Sequence, residues 1–380
     1  MKILKKILDK KKSTLLGVGP MSLNCVNASV KIANQRNIPL MMIASRRQID
    51  CAEFGGGYVN NWSTDEYSNY VSKIDNKNNI ILSRDHGGPY QNNIEIENNY
   101  SLDRAMKCAK ISFEQDILNN FKIIHIDPSI DISGNLSPET ILDRLKELYI
   151  FCIETAKKYN KDILIEIGTE EQSGGTNTLE ELEFSLNEVI NFCNKNKLQK
   201  PFFVVVQTGT KVLETKNIGI FKDIVDQFEN TQIPKLLKLC NSHGIYIKQH
   251  NTDYLDDNFL KKHPSLGIHA ANVAPEYGVA ETIKILEILN QQNLLFIKNE
   301  FIELCVNSKK WVKWAIDANQ LDDYQKTVIC GHYMFSHPIF VELKRKIVAE
   351  LKIELNELDL ILESAVKDSI LRYVDNFNLN

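Results

Sequence analysis

The chain has 380 residues and a net charge of −4, and it is 43% hydrophobic and 25% charged. Those values fit an ordinary globular protein of one large domain or two modest ones. They leave no basic footprint for nucleic acid, and no apolar stretch approaches the roughly 20 residues that cross a bilayer.

The first residues, MKILKKILDKKK, carry the charge of a signal peptide without its sustained apolar core or small-residue cleavage site, and read as a short amphipathic helix. Strand-like runs follow at 14–19, 40–45, 80–84, 122–126, 163–167, 202–206, 245–249 and 266–270. Each is short and apolar on both faces, as strands of a parallel sheet are. Helical patterns separate them. Residues 21–36 and 101–120 repeat apolar side chains at three- and four-residue spacing. The segment 137–160 opens with Ser137 as N-cap and Pro138 at the first turn, and 178–197 opens with Thr178 and Glu181 as a capping box. Eight strands alternating with helices match a (β/α)8 TIM barrel over residues 1–291; an open doubly wound sheet has the same alternation. After about 292 the strand runs stop, and residues 292–380 read as a helical C-terminal extension packed on the barrel, with room for an oligomer interface. Eight cysteines at irregular spacing, without a CxxC pair, suggest reduced thiols and a cytoplasmic protein.

Six of the runs end in reactive polar residues: IILSRDHGGP, KIIHIDPS, ILIEIGTEE, FFVVVQTGT, YIKQHNTD and LGIHAANVAPE. In such barrels ligands bind at the carboxyl ends of the strands. His86 and His250 are the leading metal-ligand candidates, with Glu166, Glu170 or His269 as a third. The plainer alternative is that each histidine only hydrogen-bonds a loop. Asp85, beside His86, is a candidate general acid/base, or else a turn aspartate. Asp127 shares a strand face with His125 and joins Asp85 and Glu166 as a catalytic carboxylate candidate. Arg46 and Arg47 after strand two suit phosphate. So do the backbone amides of Gly56 and Gly57 in the loop EFGGGYVNNW, and Asn272 at strand eight. Lys248 could form a Schiff base, but pairing with Glu166 or a neighbouring acid is the preferred reading.

Together, IASRRQID with the GGGYVNNWS loop, SRDHGGP, IHIDPSID, IGTEEQSGG, VVVQTGT and QHNTDY resemble the class II tagatose-bisphosphate aldolase-like family, and more narrowly its non-catalytic Z subunit. The resemblance implies a zinc-dependent barrel. It implies that Asp85 is the proton donor and His86 a zinc ligand, with His250 a second ligand after strand seven and Glu166 the acid on strand five. The catalytic relatives carry a further zinc histidine after strand six, where this chain reads VVVQTGT; Gln207, Glu170 or His269 would substitute, and Gln207 otherwise contacts substrate. We therefore expect a zinc-dependent carbon–carbon lyase acting on a ketose phosphate or bisphosphate. The alternatives are a non-catalytic stabilising subunit in a hetero-oligomer with a catalytic aldolase subunit, and a metal-dependent ketose epimerase. Either a homo-oligomer or that hetero-oligomer is compatible with the sequence.

Overall fold

A computed structural model describes Leu4, Leu8 and residues 13–134, 136–168 and 173–379. The amphipathic N-terminal helix expected over 1–12 lies outside these residues apart from the two leucines, and so does Glu170.

Eight parallel strands close into a barrel in sequence order. They are β1 (Leu15–Val18), β2 (Leu40–Ser45), β3 (Ile80–Gly87), β4 (Ile123–Ile126), β5 (Leu164–Ile167), β6 (Phe203–Val205), β7 (Tyr246–Gln249) and β8 (Ala270–Val273). This is a (β/α)8 TIM barrel. Most strand residues are buried, because helices cover the outside and side chains fill the inside. The helices start where the sequence supplies caps. α1 (Leu23–Arg36) is capped by Ser22, α2 (Thr64–Ile74) by a Ser63/Glu66 box and α3 (Leu102–Leu118) by Ser101. α4 (Pro138–Lys158) has Ser137 and Pro138, and α5 (Leu179–Asn196) the Thr178/Glu181 box.

One strand lies apart from its expected position. The run predicted over 266–270 begins instead with a helical turn, His263–Leu266, and the strand starts at Ala270. Pro264 in the first turn favours that helix, and Gly267 at its left-handed end terminates it before the strand begins.

Two helices join the barrel to the extension. α6 (Pro275–Gln291) presents Tyr277 to the barrel core and Val279, Ile285, Leu286 and Leu289 to a second apolar core. That second core is completed by α7 (Leu295–Asn307), α8 (Asp323–Cys330), α9 (Pro338–Leu351) and the start of α10 (Leu355–Asn376). The later part of α10 packs on α1 and α6, and Val366, Ile370, Tyr373 and Val374 enter the barrel core. Beyond it, the Phe377 carbonyl accepts from Thr14 N–H, just ahead of β1. Among the described residues no helix is long and apolar enough to cross a membrane.

Candidate active site

The sheet register sets neighbouring strand ends level. Ser45 stands beside Asp85, His125 beside Glu166 and Asn272 beside Gly17. At β3 the ladder to β4 shifts between Arg84 and Gly87, a bulge at Asp85–His86. His86 takes φ 44°, a left-handed backbone that a histidine adopts only under constraint. The bulge turns its backbone N–H to His125 Nδ1 at 3.1 Å and its ring into the mouth.

Asp85, His86, His125, Glu166 and His250 meet there. Donor atoms of His86, His125 and His250 lie within 4.8 Å of one another, as do those of Asp85, His125, Glu166 and His250. His86 Nδ1 is 2.6 Å from Asp127 Oδ2, and His250 Nε2 is 3.2 Å from Glu166 Oε1. Where Asp127 accepts from His86 Nδ1 and Glu166 from His250 Nε2, as carboxylates do behind metal-binding imidazoles, the remaining ring nitrogens keep their lone pairs. The other nitrogens, His86 Nε2 and His250 Nδ1, face each other at 3.3 Å. Two lone pairs aimed at one point require a proton or a cation between them. Two nitrogens on one tetrahedral zinc, at about 2.0–2.1 Å from it, stand about 3.3–3.4 Å apart. The spacing therefore fits a shared divalent cation.

The charges agree. Asp85, Asp127 and Glu166 face one buried lysine, Lys248, whose Nζ is 2.7 Å from Glu166 Oε2. With neutral imidazoles, two negative charges stay uncompensated, which suits a divalent cation. Burial would raise Asp85, but His86, His250 and the adjacent His125 ring outweigh it and hold Asp85 well below the usual carboxylate range. Burial likewise opposes ionisation of Glu166 and Asp127. Lys248 with His125 and His250 brings Glu166 down to about 2, and the bond to His86 brings Asp127 to about 2. Burial acts to lower His86, yet Asp85 and Asp127 raise it to about 9. Burial lowers His250 to about 4. Without a metal the shared proton thus resides on His86.

The other residues singled out in the sequence divide. Asn272 joins the cluster, its Nδ2 3.1 Å from Asp85 Oδ1 and 3.0 Å from His250 Nε2, so it contacts the acid rather than a distant phosphate. His269 precedes β8, at the amino end of the barrel; its Nδ1 accepts from Ile247 N–H and it is no part of the cluster. A strand over 266–270 would carry His269 towards the mouth, whereas the start at Ala270 leaves it at the opposite end. Arg46 is fully enclosed, bound to Asp50 at 2.9 Å, Glu95 at 2.6 Å and the Gly88 carbonyl, so it balances buried acids and meets no ligand. Gly56 N–H donates to the Cys51 carbonyl and Gly57 N–H to that of Trp62, so neither amide cradles a phosphate. Gln207 Oε1 accepts from Ser173 and ties the loop after β5 to β6 instead of replacing a metal ligand. Arg47 is half-buried at the rim, its Nε donating to Asn93 Oδ1 at 2.9 Å. Lys248 is held in its ion pair with Glu166, as expected.

His125 is the residue that sequence reasoning left without a role. It is fully buried in the cluster, and Gly168 makes room for its ring, since a Cβ there would lie 2.5 Å from Nε2. Its signal was the His-x-Asp alternation of IIHID, which gives it the same strand face as Asp127.

A family model described as D-tagatose-1,6-bisphosphate aldolase subunit GatZ/KbaZ-like matches residues 2–294. Among solved structures, a probable tagatose 6 phosphate kinase from Sinorhizobium meliloti 1021 superposes with a TM-score of 0.74 at 17% identity, covering 96% of this chain and 100% of that one. The fructose-bisphosphate aldolase (Fba) from Campylobacter jejuni gives 0.58 at 12% identity, covering 100% and 93%. The YdjI aldolase from Escherichia coli K12 gives 0.54 at 12% identity, covering 100% and 96%. At such identities the likeness is one of fold. A search of curated proteins by sequence finds no match.

Proposed function

The chain belongs to the D-tagatose-1,6-bisphosphate aldolase subunit GatZ/KbaZ-like family, and from that premise we propose that it is a metal-dependent carbon–carbon lyase acting on a ketose phosphate. The observation that carries the reading is the facing pair His86 Nε2 and His250 Nδ1 at 3.3 Å, each ring backed by a carboxylate. A divalent cation held by His86 and His250, zinc in our reading, supplies electrophilic polarisation of a carbonyl. Asp85, ionised and partly open to the mouth, takes the hydroxyl proton as the carbon–carbon bond breaks and returns it in the reverse direction. Asn272 holds that carboxylate, Asp127 and Glu166 hold the imidazoles, and Arg47 receives the anionic end of the substrate.

The test is metal analysis of the purified protein with turnover of ketose mono- and bisphosphates. We expect one divalent ion per chain, lost in His86→Ala and in His250→Ala, and cleavage that needs the ion. Full metal in both variants sinks the reading. A second reading, a stabilising subunit of a heteromeric aldolase, is favoured by the family's description as a subunit and by the absence of a histidine at the end of β6. It predicts no turnover alone and a more stable partner on mixing. An epimerase with the same metal site would interconvert ketoses without releasing an aldehyde.

A further inference from the structure

His250 directly follows β7, and the loop it opens, residues 251–255, turns twice into the left-handed region, at Asn251 with φ 55° and at Tyr254 with φ 61°. A tyrosine keeps such a backbone only where its surroundings fix it. The barrel fixes the first half. Thr210 Oγ1 donates to the His250 carbonyl at 2.6 Å, and Asn217 Nδ2 donates to the carbonyls of Asn251 at 2.8 Å and Asp253 at 3.0 Å. Thr252 N–H donates to the Asn272 carbonyl at 3.0 Å.

The second half is held from the C-terminal helix, 119 residues further along the chain. Tyr254 N–H donates to Glu276 Oε2 at 2.6 Å and to Tyr373 Oη at 3.2 Å, and the Tyr373 hydroxyl donates to the same Glu276 oxygen. Arg372 donates through Nη1 to Glu276 Oε1 at 3.1 Å, through Nε to Asp257 Oδ1 at 2.7 Å and through Nη2 to the Leu255 carbonyl. Asp253 closes the fastening. Its Oδ1 accepts from Ala274 N–H at 2.9 Å and Glu276 N–H at 3.0 Å, so the loop, the first turn of α6 and the end of α10 form one hydrogen-bonded unit. Val366, Ile370 and Val374 already dock α10 in the barrel core. The buried phenol and the guanidinium are directed besides at the loop that begins at His250. A satisfied buried network of this kind is rigid. The His250 ring it steadies faces His86 at 3.3 Å, and metal–ligand distances must hold to about 0.2 Å.

We infer that Arg372 and Tyr373 are positioning residues that fix His250 in the mouth, so that α10 completes the active site from outside the barrel. The inference rests on the reading of His250 as a metal ligand given above, and it gives the C-terminal extension a part in metal binding as well as in packing.

The experiment compares the full-length wild type, the double variant Arg372→Met with Tyr373→Phe, and a control, Leu343→Ala. The double variant keeps the stem and the ring and removes the polar contacts to the loop. The control opens the second core, away from that loop. Each metal-stripped protein is titrated with cobalt(II) alone and followed by visible absorption, with melting and amide hydrogen exchange measured alongside. Cobalt should bind the double variant about tenfold more weakly, at the low end of what loss of a supporting partner does, and with a changed spectrum. Residues 250–255 should exchange faster in it. The control should melt lower than wild type, yet match it in cobalt affinity and in exchange over 250–255. Equal cobalt affinity and spectrum in wild type and double variant overturn the inference. So does a control that weakens cobalt as much as the double variant, because α10 then acts only through general stability. If wild type binds no cobalt, the metal reading falls by itself. Faster exchange over 250–255 confined to the double variant then still supports the fastening of His250, and unchanged exchange there overturns it.

Discussion

Asp127 holds His86 through one hydrogen bond of 2.6 Å, and that bond selects which imidazole nitrogen faces His250. Asp127 is itself held by Ser129 and Gln91, so Asp127→Asn keeps the shape but loses the fixed tautomer. Metal affinity should fall about 10–100-fold, as it does when such a partner is removed; a metal titration that superposes on wild type would show that Asp127 does not act through His86. Asp85 answers to a different measurement. Its carboxylate is kept ionised by His86 and His250 and contacts both. Asp85→Asn should therefore retain fold and metal while turnover drops about 10²–10⁴-fold, the worth of a positioned proton acceptor. Near-wild-type turnover would remove Asp85 from the mechanism and reduce it to a loop residue.

At the scale of elements, the bulge ending β3 and the loop after β2 carry the site's geometry. The strained His86 backbone costs about 1–3 kcal/mol, and the surrounding ladder and the bond to His125 hold it. The β2 loop is packed by backbone contact: a Cβ on Gly57 would lie 2.0 Å from the Gln48 carbonyl oxygen. Gly57→Ala should lower stability by about 1–3 kcal/mol, the usual cost of overpacking, read from the denaturant midpoint. An unchanged midpoint with lost phosphate binding would instead make this loop a phosphate cradle. These elements also mark how far the sequence can be read. Most barrel strands were visible as unbroken apolar runs, and Ser137 and Thr178 announced their helices. The SRDHGGP break displayed Asp85 and His86 because Gly87, Gly88 and Pro89 end the strand there. The start of β8 was not visible, because LGIHAANV interrupts its apolar residues only with His269 and Asn272, and periodicity gives no edge within so short a run. Arg46 and Arg47 are neighbours of one chemistry. Only tertiary partners separate them, since Asp50 and the distant Glu95 draw the first inside and leave the second at the rim.

Across the whole molecule, barrel and extension are joined through buried polar groups as well as apolar ones. Glu281, on α6 between the two cores, accepts from Ser22 Oγ and from Asn24 Nδ2, the latter at 2.8 Å. Asn24 in turn reaches Asp359 on α10. Burial pushes Glu281 up to about 7 against an ordinary 4.5, although both hydrogen bonds pull it back. The folded chain thus keeps a proton here that the unfolded chain has released. The associated stability is fully present below pH 4.5 and is lost as pH rises to about 7, above which the curve is flat with respect to this group. One proton corresponds to a slope of about 1.4 kcal/mol per pH unit. Asp253 contributes in the same direction: burial, then the nearby Glu276, raises it to about 7. Glu281→Gln retains shape and removes the charge, so unfolding free energy measured from pH 4.5 to 8 should lose about 1.4 kcal/mol of its fall per pH unit across the lower part of the range. The slope due to Asp253 should persist. The variant should also be more stable than wild type at pH 8, where wild type buries a carboxylate and the variant an amide. If both proteins instead show the same slope, Glu281 is ionised in the folded chain, with Lys344, a cation that acts on it, helping to hold the charge across the joint.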